Sequence, residues 1–380
     1  MTTFQALDRL ITDLIDRGEL NDAQYAVGLD GRVIAAEAFG GADLDSRFCI
    51  FSSTKPIFAS LVWRLIDQGR IALDTPIVEV WPDFGRHGKD AIRLEHLLLH
   101  TAGIPSPMIS HEAIGDRAAR VREIEQWPLE LEPGTAYTYH PFSAGWVLAE
   151  VVTRLTGMPH GDALRAEVLE PLGIDRLQLG VPPEQLGDVR RIDYSREAPF
   201  DIFEAVTGQP SPEPDPDAED PFDIRGFAND PTVIAAGAPG GGAISDAASV
   251  VTFYQALLHN PHGLWSTEIL RDATTNIRNT FPDGLALGAP ANRTIGLIVA
   301  GSGHRRFTLP QHGVDLMMHP FGPAVSPATF GHGGGGGQIA FADPTTGMSF
   351  CFLSNVIDRD AFGAFQNQQD IIEAAVTSLA

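Results

Sequence analysis

Positive charge is scarce in this sequence, and lysine is its scarcest source. The 380 residues contain 26 lysines and arginines against 49 aspartates and glutamates, and Lys55 and Lys89 are the only two lysines. The formal net charge of −23 argues against nucleic acids and anionic membrane surfaces as partners. It also disfavours strongly anionic substrates at long range. The simplest interpretation of the acidity is solubility.

Cysteine and long apolar runs are scarce as well. Cys49 and Cys351 each lie in an apolar segment, so we expect two small core residues, with a disulfide as the alternative. No apolar stretch reaches the length of a transmembrane helix, and the N-terminus lacks the basic and apolar regions of a signal peptide. We therefore expect a reducing cytoplasm and no membrane partner. The oligomeric state stays open.

The hydrophobic periodicity predicts an antiparallel sheet built from both ends of the chain. Residues 4–17 follow a helical repeat, and strand-like runs at 23–29 and 32–39 flank the hairpin signal Asp30-Gly31. Further along, the pattern predicts a helix from Ser52 to Gly69, helices at 94–101, 112–126, 141–156 and 247–258, strands at 294–300, 338–342 and 348–353, and a closing helix at 367–379. Helices at both termini flanking such a sheet indicate an α+β fold.

Short helices separated by proline and glycine dominate the middle of the chain. We expect an α/β domain formed by residues 1–75 and 231–380, with a mostly helical domain, 76–230, inserted between them. Within the insert, residues 210–223 combine five prolines with six acidic residues. Such a segment cannot bury enough apolar surface to fold alone, so we expect an exposed acidic flap.

Ser52 and Lys55 form a Ser-x-x-Lys pair at the start of a predicted helix. The spacing places both side chains on one face, one turn apart. A buried lysine can lose its proton, which arginine cannot, and a neutral amine beside a serine hydroxyl makes that serine a nucleophile. The pair therefore predicts covalent acyl-transfer chemistry. The alternative is a helix N-terminal serine followed by an exposed lysine.

The predicted chemistry requires a lysine with a lowered pKa. A free lysine has a pKa of about 10.4 and would be protonated, so burial and a neighbouring group must lower it. We expect a second acid or base nearby, and tyrosine is a natural candidate. Two of the five tyrosines, Tyr137 and Tyr139, lie in one loop before the helix at 141–156.

Several stretches, read in chain order, resemble the motifs of one family. They are Phe51-Ser52-Ser53-Thr54-Lys55, Leu94 to Ile104, Pro133 to Tyr139, Phe330-Gly331-His332-Gly333-Gly334 and, more weakly, Pro239 to Ser245. In combination they resemble the serine β-lactamase and penicillin-recognising superfamily, in particular class C β-lactamase-related hydrolases and family VIII carboxylesterases. The likeness spans about residues 5 to 378. It implies a β-lactamase/transpeptidase-like fold, an α/β sandwich with an all-helical lobe.

The resemblance also implies roles for the matching residues. Ser52 would be the nucleophile, Lys55 its partner and Tyr139 the catalytic tyrosine, while Tyr137, two residues away, would pack inward.

The glycine run at 333–337 has a physical meaning of its own. Without side chains, this strand edge lets a substrate approach closely. The N–H groups of Gly335 and Ser52 would then form an oxyanion hole. The alternative is a flexible loop without a role.

Two departures from the family pattern favour esters over β-lactams and D-Ala-D-Ala peptides. Lactamases and peptidases have Tyr-x-Asn where this chain has Tyr139-His140-Pro141, which offers no side-chain amide. Their Lys-Thr-Gly is replaced by His332-Gly333-Gly334, and a histidine makes the charge that would hold a carboxylate optional near neutral pH. We expect His332, Gly333, Gly334 and His140 to contact the substrate. Trp146 on the next helix is either a core residue or a wall of the acyl-binding cavity.

The predicted function is a serine hydrolase that cleaves small carboxylic esters through an acyl-enzyme on Ser52, without a metal or organic cofactor. One alternative is β-lactamase, D-amino-acid peptidase, amidase or acyltransferase chemistry at the same serine. A second is a non-catalytic ligand-binding module, and a third is a metal-dependent hydrolase. His304, His312 and His319 lack the paired spacing of a metal site.

Overall fold

Helices make up much of the chain. The structure, a computed structural model, describes residues 4–195, 197–209, 223–303 and 305–379. The flap predicted at 210–223 therefore lies outside the described residues, except for Asp223. The helices are α1 (Gln5–Asp16), α2 (Thr54–Asp67), α3 (Ile77–Val80), α4 (Leu94–Leu98), α5 (His111–Ile114), α6 (Arg117–Gln126), α7 (Ser143–Thr156), α8 (His160–Leu164), α9 (Ile202–Thr207), α10 (Ile224–Asn229), α11 (Pro231–Ala236), α12 (Ala247–His259), α13 (Thr267–Thr274) and α14 (Ala361–Thr377).

A six-stranded antiparallel sheet forms the centre of the fold. The strands are β1 (Ala23–Leu29), β2 (Arg32–Phe39), β3 (Phe48–Cys49), β4 (Gln178–Leu179), β5 (Asp193–Tyr194), β6 (Ala243–Ser245), β7 (Pro282–Asp283), β8 (Ala289–Pro290), β9 (Ile298–Val299), β10 (Arg305–Leu309), β11 (Val314–Met318), β12 (Phe330–Gly333), β13 (Ile339–Asp343), β14 (Met348–Ser354) and β15 (Val356–Ile357). The sheet has the order β2-β1-β14-β13-β12-β9, so the N-terminal hairpin pairs with a C-terminal strand. The predicted α+β fold, with an antiparallel sheet from both chain ends, is confirmed.

The two faces of the sheet differ in the size of their side chains. Successive residues of a strand point to opposite faces. Phe350 and Phe352 of β14, with Phe341 of β13, belong to the core cluster that contains residues of α1 and α14. Cys351 and Ala340 from the same strands join the other cluster, which contains residues of α2 and α12. The small side chains on this second face let α12 pack directly against β1, β13 and β14.

Three predicted helices differ from the observed ones. The helix expected at 94–101 ends at Leu98, and His100 already has a positive φ of 57°. The helix expected at 112–126 is divided into α5 and α6, because the carboxylate of Asp116 accepts a hydrogen bond from the N–H of Ala119 (2.7 Å) and begins a new helix. The closing helix begins at Ala361 rather than at residue 367, because Asp360 caps it by accepting from the N–H of Gly363 (3.0 Å). Gly363 lies inside α14. A glycine within a helix lowers helix stability by only about 1 kcal/mol, so Gly363 does not end α14.

The strand expected at 294–300 is reduced to Ile298–Val299. Gly296 has a φ of +121°, and a Cβ at this position would lie 2.5 Å from the Cβ of Ala59 on α2. The chain before β9 is therefore shaped by close contact with α2 instead of by pairing in the sheet.

The middle of the chain is mostly helical. Between residues 76 and 230, the described elements are helices apart from the two-residue strands β4 and β5. The predicted division into 1–75 with 231–380 and an insert at 76–230 stays a prediction. Within the described parts of the chain, no helix is both long and apolar enough to cross a membrane.

Lys89 connects two segments of this helical region. Its side chain is fully buried, and its Nζ donates hydrogen bonds to the carbonyl oxygens of Arg86 (2.8 Å), Glu125 (3.2 Å) and Trp127. The amine thereby holds the loop before α4 against the C-terminal end of α6.

We predict that Lys89→Met lowers the free energy of unfolding by about 2–4 kcal/mol, because three buried carbonyl groups lose their donor. Urea unfolding followed by circular dichroism measures this change. Arg165→Gln on the exposed surface is the control and should change stability by less than about 0.5 kcal/mol. A Lys89→Met variant as stable as the control would contradict the assignment of Lys89 as a structural residue.

Candidate active site

Ser52 lies in a single 3₁₀ turn, Phe51–Ser53, that runs directly into α2. Phe51 has a positive φ of 43°, an unfavourable conformation for a side chain of this size and one that is found preferentially at functional sites. The N–H of Ser52 belongs to the first turn, where amides have no acceptor within the helix. Ser52 lines a cavity of about 430 Å³.

Lys55 brings three distant parts of the chain together. Its Nζ lies 3.1 Å from Ser52 Oγ and donates hydrogen bonds to the carbonyl oxygens of Pro141 (2.8 Å) and Gly240 (2.5 Å). In the neutral amine, the two carbonyls take both hydrogens and leave the lone pair for the Ser52 hydroxyl. Burial lowers the pKa of Lys55 below its ordinary value, which favours this neutral form.

The carbonyl of Gly240 reaches Lys55 because the surrounding glycines have no side chains. A Cβ on Gly240 would lie 2.3 Å from the carbonyl oxygen of Pro141, and one on Gly145 would lie 2.7 Å from the amide nitrogen of Gly240. Only glycine permits such close approach of two backbones. The weakest of the sequence motifs, residues 239–245, therefore supplies an oxygen that holds Lys55.

Tyr139 lies beside Lys55. The Nζ of Lys55 is 4.8 Å from the centre of the Tyr139 ring, and Tyr139 lines the same cavity as Ser52. The ring of His100 packs against it, with centroids 4.8 Å apart. Burial raises the pKa of Tyr139, but the charges of Lys55 and Arg293, with the polar groups of Lys55 and Ser52 near the phenol, outweigh burial, so the pKa lies below the ordinary 10.0.

The strand β12 is tied to the turn that carries Ser52. The hydroxyl of Ser53 donates to the carbonyl oxygen of His332 (3.1 Å). A Cβ on Gly334 would lie 2.7 Å from the carbonyl oxygen of Ile50. These two contacts fix the distance between Ser52 and the glycine strand.

Gly335 is the second of the two predicted oxyanion donors. It is the first residue of a 3₁₀ turn, Gly335–Gly337, so its N–H, like that of Ser52, has no acceptor within its own helix. Gly335 and Ser52 line the same cavity, together with Gly333 and Gly334.

His332 is buried and neutral. Its Nδ1 donates to the carbonyl oxygen of Gly333 (2.6 Å), and its Nε2 accepts from Nη1 of Arg293 (2.8 Å). Burial, with the charges of Arg293 and Lys55, holds the pKa of His332 well below its usual 6.5. A histidine at this strand position could carry a positive charge near neutral pH, but His332 does not.

Arg293 is the residue of this site that sequence reasoning missed. It is buried, with 4% of its surface exposed, and it lines the Ser52 cavity beside Tyr139 and His332. It precedes β9 and belongs to none of the recognised motifs. No local pattern distinguishes it from the other arginines, so only the contact between β9 and β12 reveals it.

The chain also matches a known family. The beta-lactamase family profile covers residues 7–374. The chain belongs to the beta-lactamase family. The predicted resemblance is thereby confirmed. Three of the stretches that carry it, 51–55, 133–139 and 330–334, contribute residues to the Ser52 cavity.

Individual members of the family are only distantly similar to this chain. The Esterase/beta-lactamase LipL of Mycobacterium tuberculosis is 26% identical over 393 residues, 93% of this chain and 81% of that protein. A penicillin-binding protein homologue from Caulobacter crescentus superposes with a TM-score of 0.75 at 25% identity, over 99% of this chain and 97% of its own. A family VIII carboxylesterase gives a TM-score of 0.76 at 23% identity, with coverage of 99% and 97%.

The structure does not bring two of the predicted substrate-binding residues to the cavity. His140 donates from Nδ1 to the carbonyl oxygen of Thr138 (2.5 Å) and accepts at Nε2 from the N–H of Ile104 (3.1 Å). Trp146 is buried, with its ring edge-on to that of His160 at 5.9 Å. Neither side chain is among the described residues that line the Ser52 cavity. The contacts of both side chains are therefore with other residues of the helical region.

The remaining candidates do not form a metal site. Tyr137 packs inward, as expected, with 8% of its surface exposed. His312 stacks on Phe200 with ring centroids 4.0 Å apart, and His319 lines the Ser52 cavity. His304 lies outside the described residues. In the part of the chain that is described, no group of three histidine, cysteine or acidic side chains could hold a metal ion.

We predict that Gly334→Ala destabilises the protein by about 2–3 kcal/mol, because its Cβ would press on the carbonyl of Ile50. Gly333→Ala is the matched control, since its Cβ would meet only ordinary contacts at 3.6 Å or more. Thermal unfolding of the two variants measures the difference. Equal melting temperatures would show that the strand is not held as closely as the structure indicates.

Proposed function

We propose that this protein is a serine hydrolase that cleaves carboxylic esters through an acyl-enzyme on Ser52. The observation that carries the proposal is the Lys55 amine, 3.1 Å from Ser52 Oγ, with its hydrogens directed to two carbonyl oxygens. This geometry favours a lysine that accepts the serine proton, because the carbonyls orient the amine while its burial disfavours the charged form.

Acylation begins when Ser52 Oγ attacks the ester carbonyl. The hydroxyl proton passes to the pair formed by Lys55 and Tyr139, which both contact Ser52. The carbonyl oxygen gains negative charge and lies between the N–H groups of Ser52 and Gly335. Two amide donors aimed at a developing oxyanion stabilise the transition state more than the ground state.

Collapse of the tetrahedral intermediate breaks the ester C–O bond. Tyr139 gives its proton to the leaving alkoxide, so the alcohol departs neutral and the acyl group stays on Ser52. Water then attacks the acyl-enzyme, with Tyr139 and Lys55 accepting its proton. Ser52 recovers a proton as the acid is released, and the site returns to its starting state.

The cavity favours uncharged ester groups. Much of its wall is apolar, formed by Leu285, Ala286, Ala289, Pro290, Ile298 and Ile339. The strand histidine His332 is neutral, and the loop after Tyr139 supplies no side-chain amide to the cavity. These features support a small ester with an apolar acyl or alcohol group over a β-lactam or a D-Ala-D-Ala peptide.

We also infer a cytoplasmic location and no nucleic-acid partner. The two cysteines, Cys49 and Cys351, are free and buried, which suits a reducing compartment. The net charge of −23 would repel phosphate backbones. Cell fractionation tests the location.

Replacement of the nucleophile tests the proposed reaction. Ser52→Ala should reduce ester turnover by at least about 10⁴-fold while the melting temperature stays near that of the wild type. Ser378→Ala, at the end of α14 and outside the Ser52 cavity, is the control and should keep most of the turnover. A fluorophosphonate probe should label Ser52 in the wild type and in Ser378→Ala, as detected by peptide mass spectrometry. Ester hydrolysis that survives Ser52→Ala would overturn the mechanism.

A substrate panel separates the rival functions. Fluorogenic esters, amides and β-lactams, with mass detection of acyl-Ser52, distinguish an esterase from a lactamase or amidase. An acceptor alcohol added to the ester assay reveals acyl transfer. Loss of activity with a chelator would indicate a metal-dependent hydrolase, and absence of any Ser52 adduct would indicate a ligand-binding module.

The pH dependence follows from the lowered pKa values of Lys55 and Tyr139. Both groups must be deprotonated to accept the serine proton, so kcat/KM should rise with pH and level off. Because both pKa values lie below the ordinary 10.5 and 10.0, the midpoint of the rise should lie below pH 10. Stopped-flow acylation with a neutral ester measures it. A midpoint at or above pH 10 would contradict the lowered pKa values.

A further inference from the structure

Arg293 holds a positive charge at the back of the catalytic site. Its Nη1 donates to Nε2 of His332 (2.8 Å), and its Nη2 donates to the hydroxyl of Tyr137 (3.1 Å). Its Cζ lies 5.3 Å from the centre of the Tyr139 ring. The guanidinium is therefore fixed by two neutral acceptors while it faces the tyrosine that contacts Ser52.

No carboxylate neutralises this charge directly. Arg293 takes part in none of the ion pairs found among residues 4–195, 197–209, 223–303 and 305–379, and its buried Nε has no hydrogen-bond partner there. The carboxylate of Asp283 reaches it only through Tyr137, whose hydroxyl donates to Asp283 Oδ2 over 3.3 Å. A buried cation without a directly paired anion is unfavourable for folding. An anion that forms nearby, such as the phenolate of Tyr139, is therefore stabilised by the charge of Arg293.

We propose that Arg293 is a positioning residue for ester hydrolysis: its unpaired guanidinium stabilises Tyr139 as a phenolate and so keeps it ready to accept the Ser52 proton. The guanidinium replaces the charge of the strand lysine that the chain lacks, but it acts from the segment before β9. The role in turnover rests on the proposed function, whereas the effect on the charge of Tyr139 does not.

The groups that face Tyr139 support this assignment. Those beside its ring are Lys55 from α2, His100 after α4, Arg293 before β9 and His332 from β12. Tyr137 and His140, from the same loop as Tyr139, pack against His100. Asp283 of β7 is reached only through Tyr137, and Ser52 lines the same cavity. Burial holds the pKa values of His100 and His332 well below 6.5 and lowers that of His140 to about 4, so all three are neutral. Burial raises the pKa of Tyr137 to about 12, so it stays protonated. A charged Lys55 also favours the phenolate of Tyr139, but Lys55 lacks that charge when it serves as a base, so Arg293 supplies the permanent cation.

The two partners of Arg293 explain why its position is stable. His332 can accept from Arg293 only with its proton on Nδ1, and that proton is held by the carbonyl of Gly333 (2.6 Å). An arginine can donate to both acceptors at once because its donors form a rigid fork. A lysine at this position would keep the charge and lose one of the two contacts.

Titration of Tyr139 tests the proposal without a substrate. The ultraviolet difference spectrum between wild type and Tyr139→Phe isolates the tyrosinate signal of Tyr139. In the wild type, Tyr139 should titrate below its ordinary 10.0. In Arg293→Gln, measured against Arg293→Gln/Tyr139→Phe, the midpoint should move up by about one pH unit or more. In Arg293→Lys the Tyr139 midpoint should stay close to that of the wild type. In Arg165→Gln, a surface control, it should equal that of the wild type.

The pH profile of kcat/KM tests the consequence for catalysis. In Arg293→Gln the ascending limb should move up with the Tyr139 titration, so that kcat/KM falls about tenfold or more at neutral pH and recovers at higher pH. The KM for a neutral ester should change by less than about threefold, since such a substrate has no charge for Arg293 to bind and the guanidinium is held by His332 and Tyr137. A residue with a merely structural role would instead lower the rate equally at every pH.

Two results would overturn the proposal. One is an unchanged Tyr139 midpoint in a folded Arg293→Gln, judged by its circular dichroism spectrum. The other is a wild-type Tyr139 that titrates at or above the ordinary 10.0. This second measurement does not depend on whether an Arg293 variant folds. Absence of ester turnover in the wild type, with the Tyr139 shift still present, would reject the proposed function and leave the electrostatic role of Arg293 supported.

Discussion

The hydrogen bonds of Lys55 join Ser52, in the turn before α2, to the carbonyl oxygens of Pro141 and Gly240, which lie 86 and 185 residues after Lys55 in the chain. Each carbonyl is in place for a separate packing reason. The glycines at 145 and 240 let the two backbones touch, and the helix α7 that follows Pro141 is buried along most of its length. Because the amine is oriented by main-chain oxygens, its direction depends on the fold and not on flexible side chains.

The second lysine shows what distinguishes a base from a structural amine. Lys89 is also buried, but all three of its partners are carbonyl oxygens, which can only accept hydrogens. Lys55 has two carbonyls and the hydroxyl of Ser52, a group that can donate as well. The same side chain therefore stabilises a loop in one place and is suited to proton transfer in the other, because its third partner differs.

Charge at the site is separated into two layers. Lys55 and Tyr139 form the first layer, and in the proposed mechanism they exchange a proton with Ser52. Arg293 and His332 form the second layer, in which burial keeps the histidine neutral, whereas an arginine does not lose its proton at accessible pH. The inner pair can then change its protonation state while the outer pair does not. This arrangement is possible because β12 and the segment before β9 meet at one edge of the sheet beside α2.

Local patterns in the sequence determined the hairpin β1–β2, most helices and the antiparallel sheet, because hydrophobic periodicity and turn-forming residues act over a few positions of the chain. They also determined the Ser52–Lys55 pair, since three residues make one helical turn. Tertiary structure alone decided that Arg293 joins the site, that Trp146 does not, and that His332 carries no charge. These outcomes depend on contacts between segments far apart in the chain and on burial, and neither is written in the neighbouring residues.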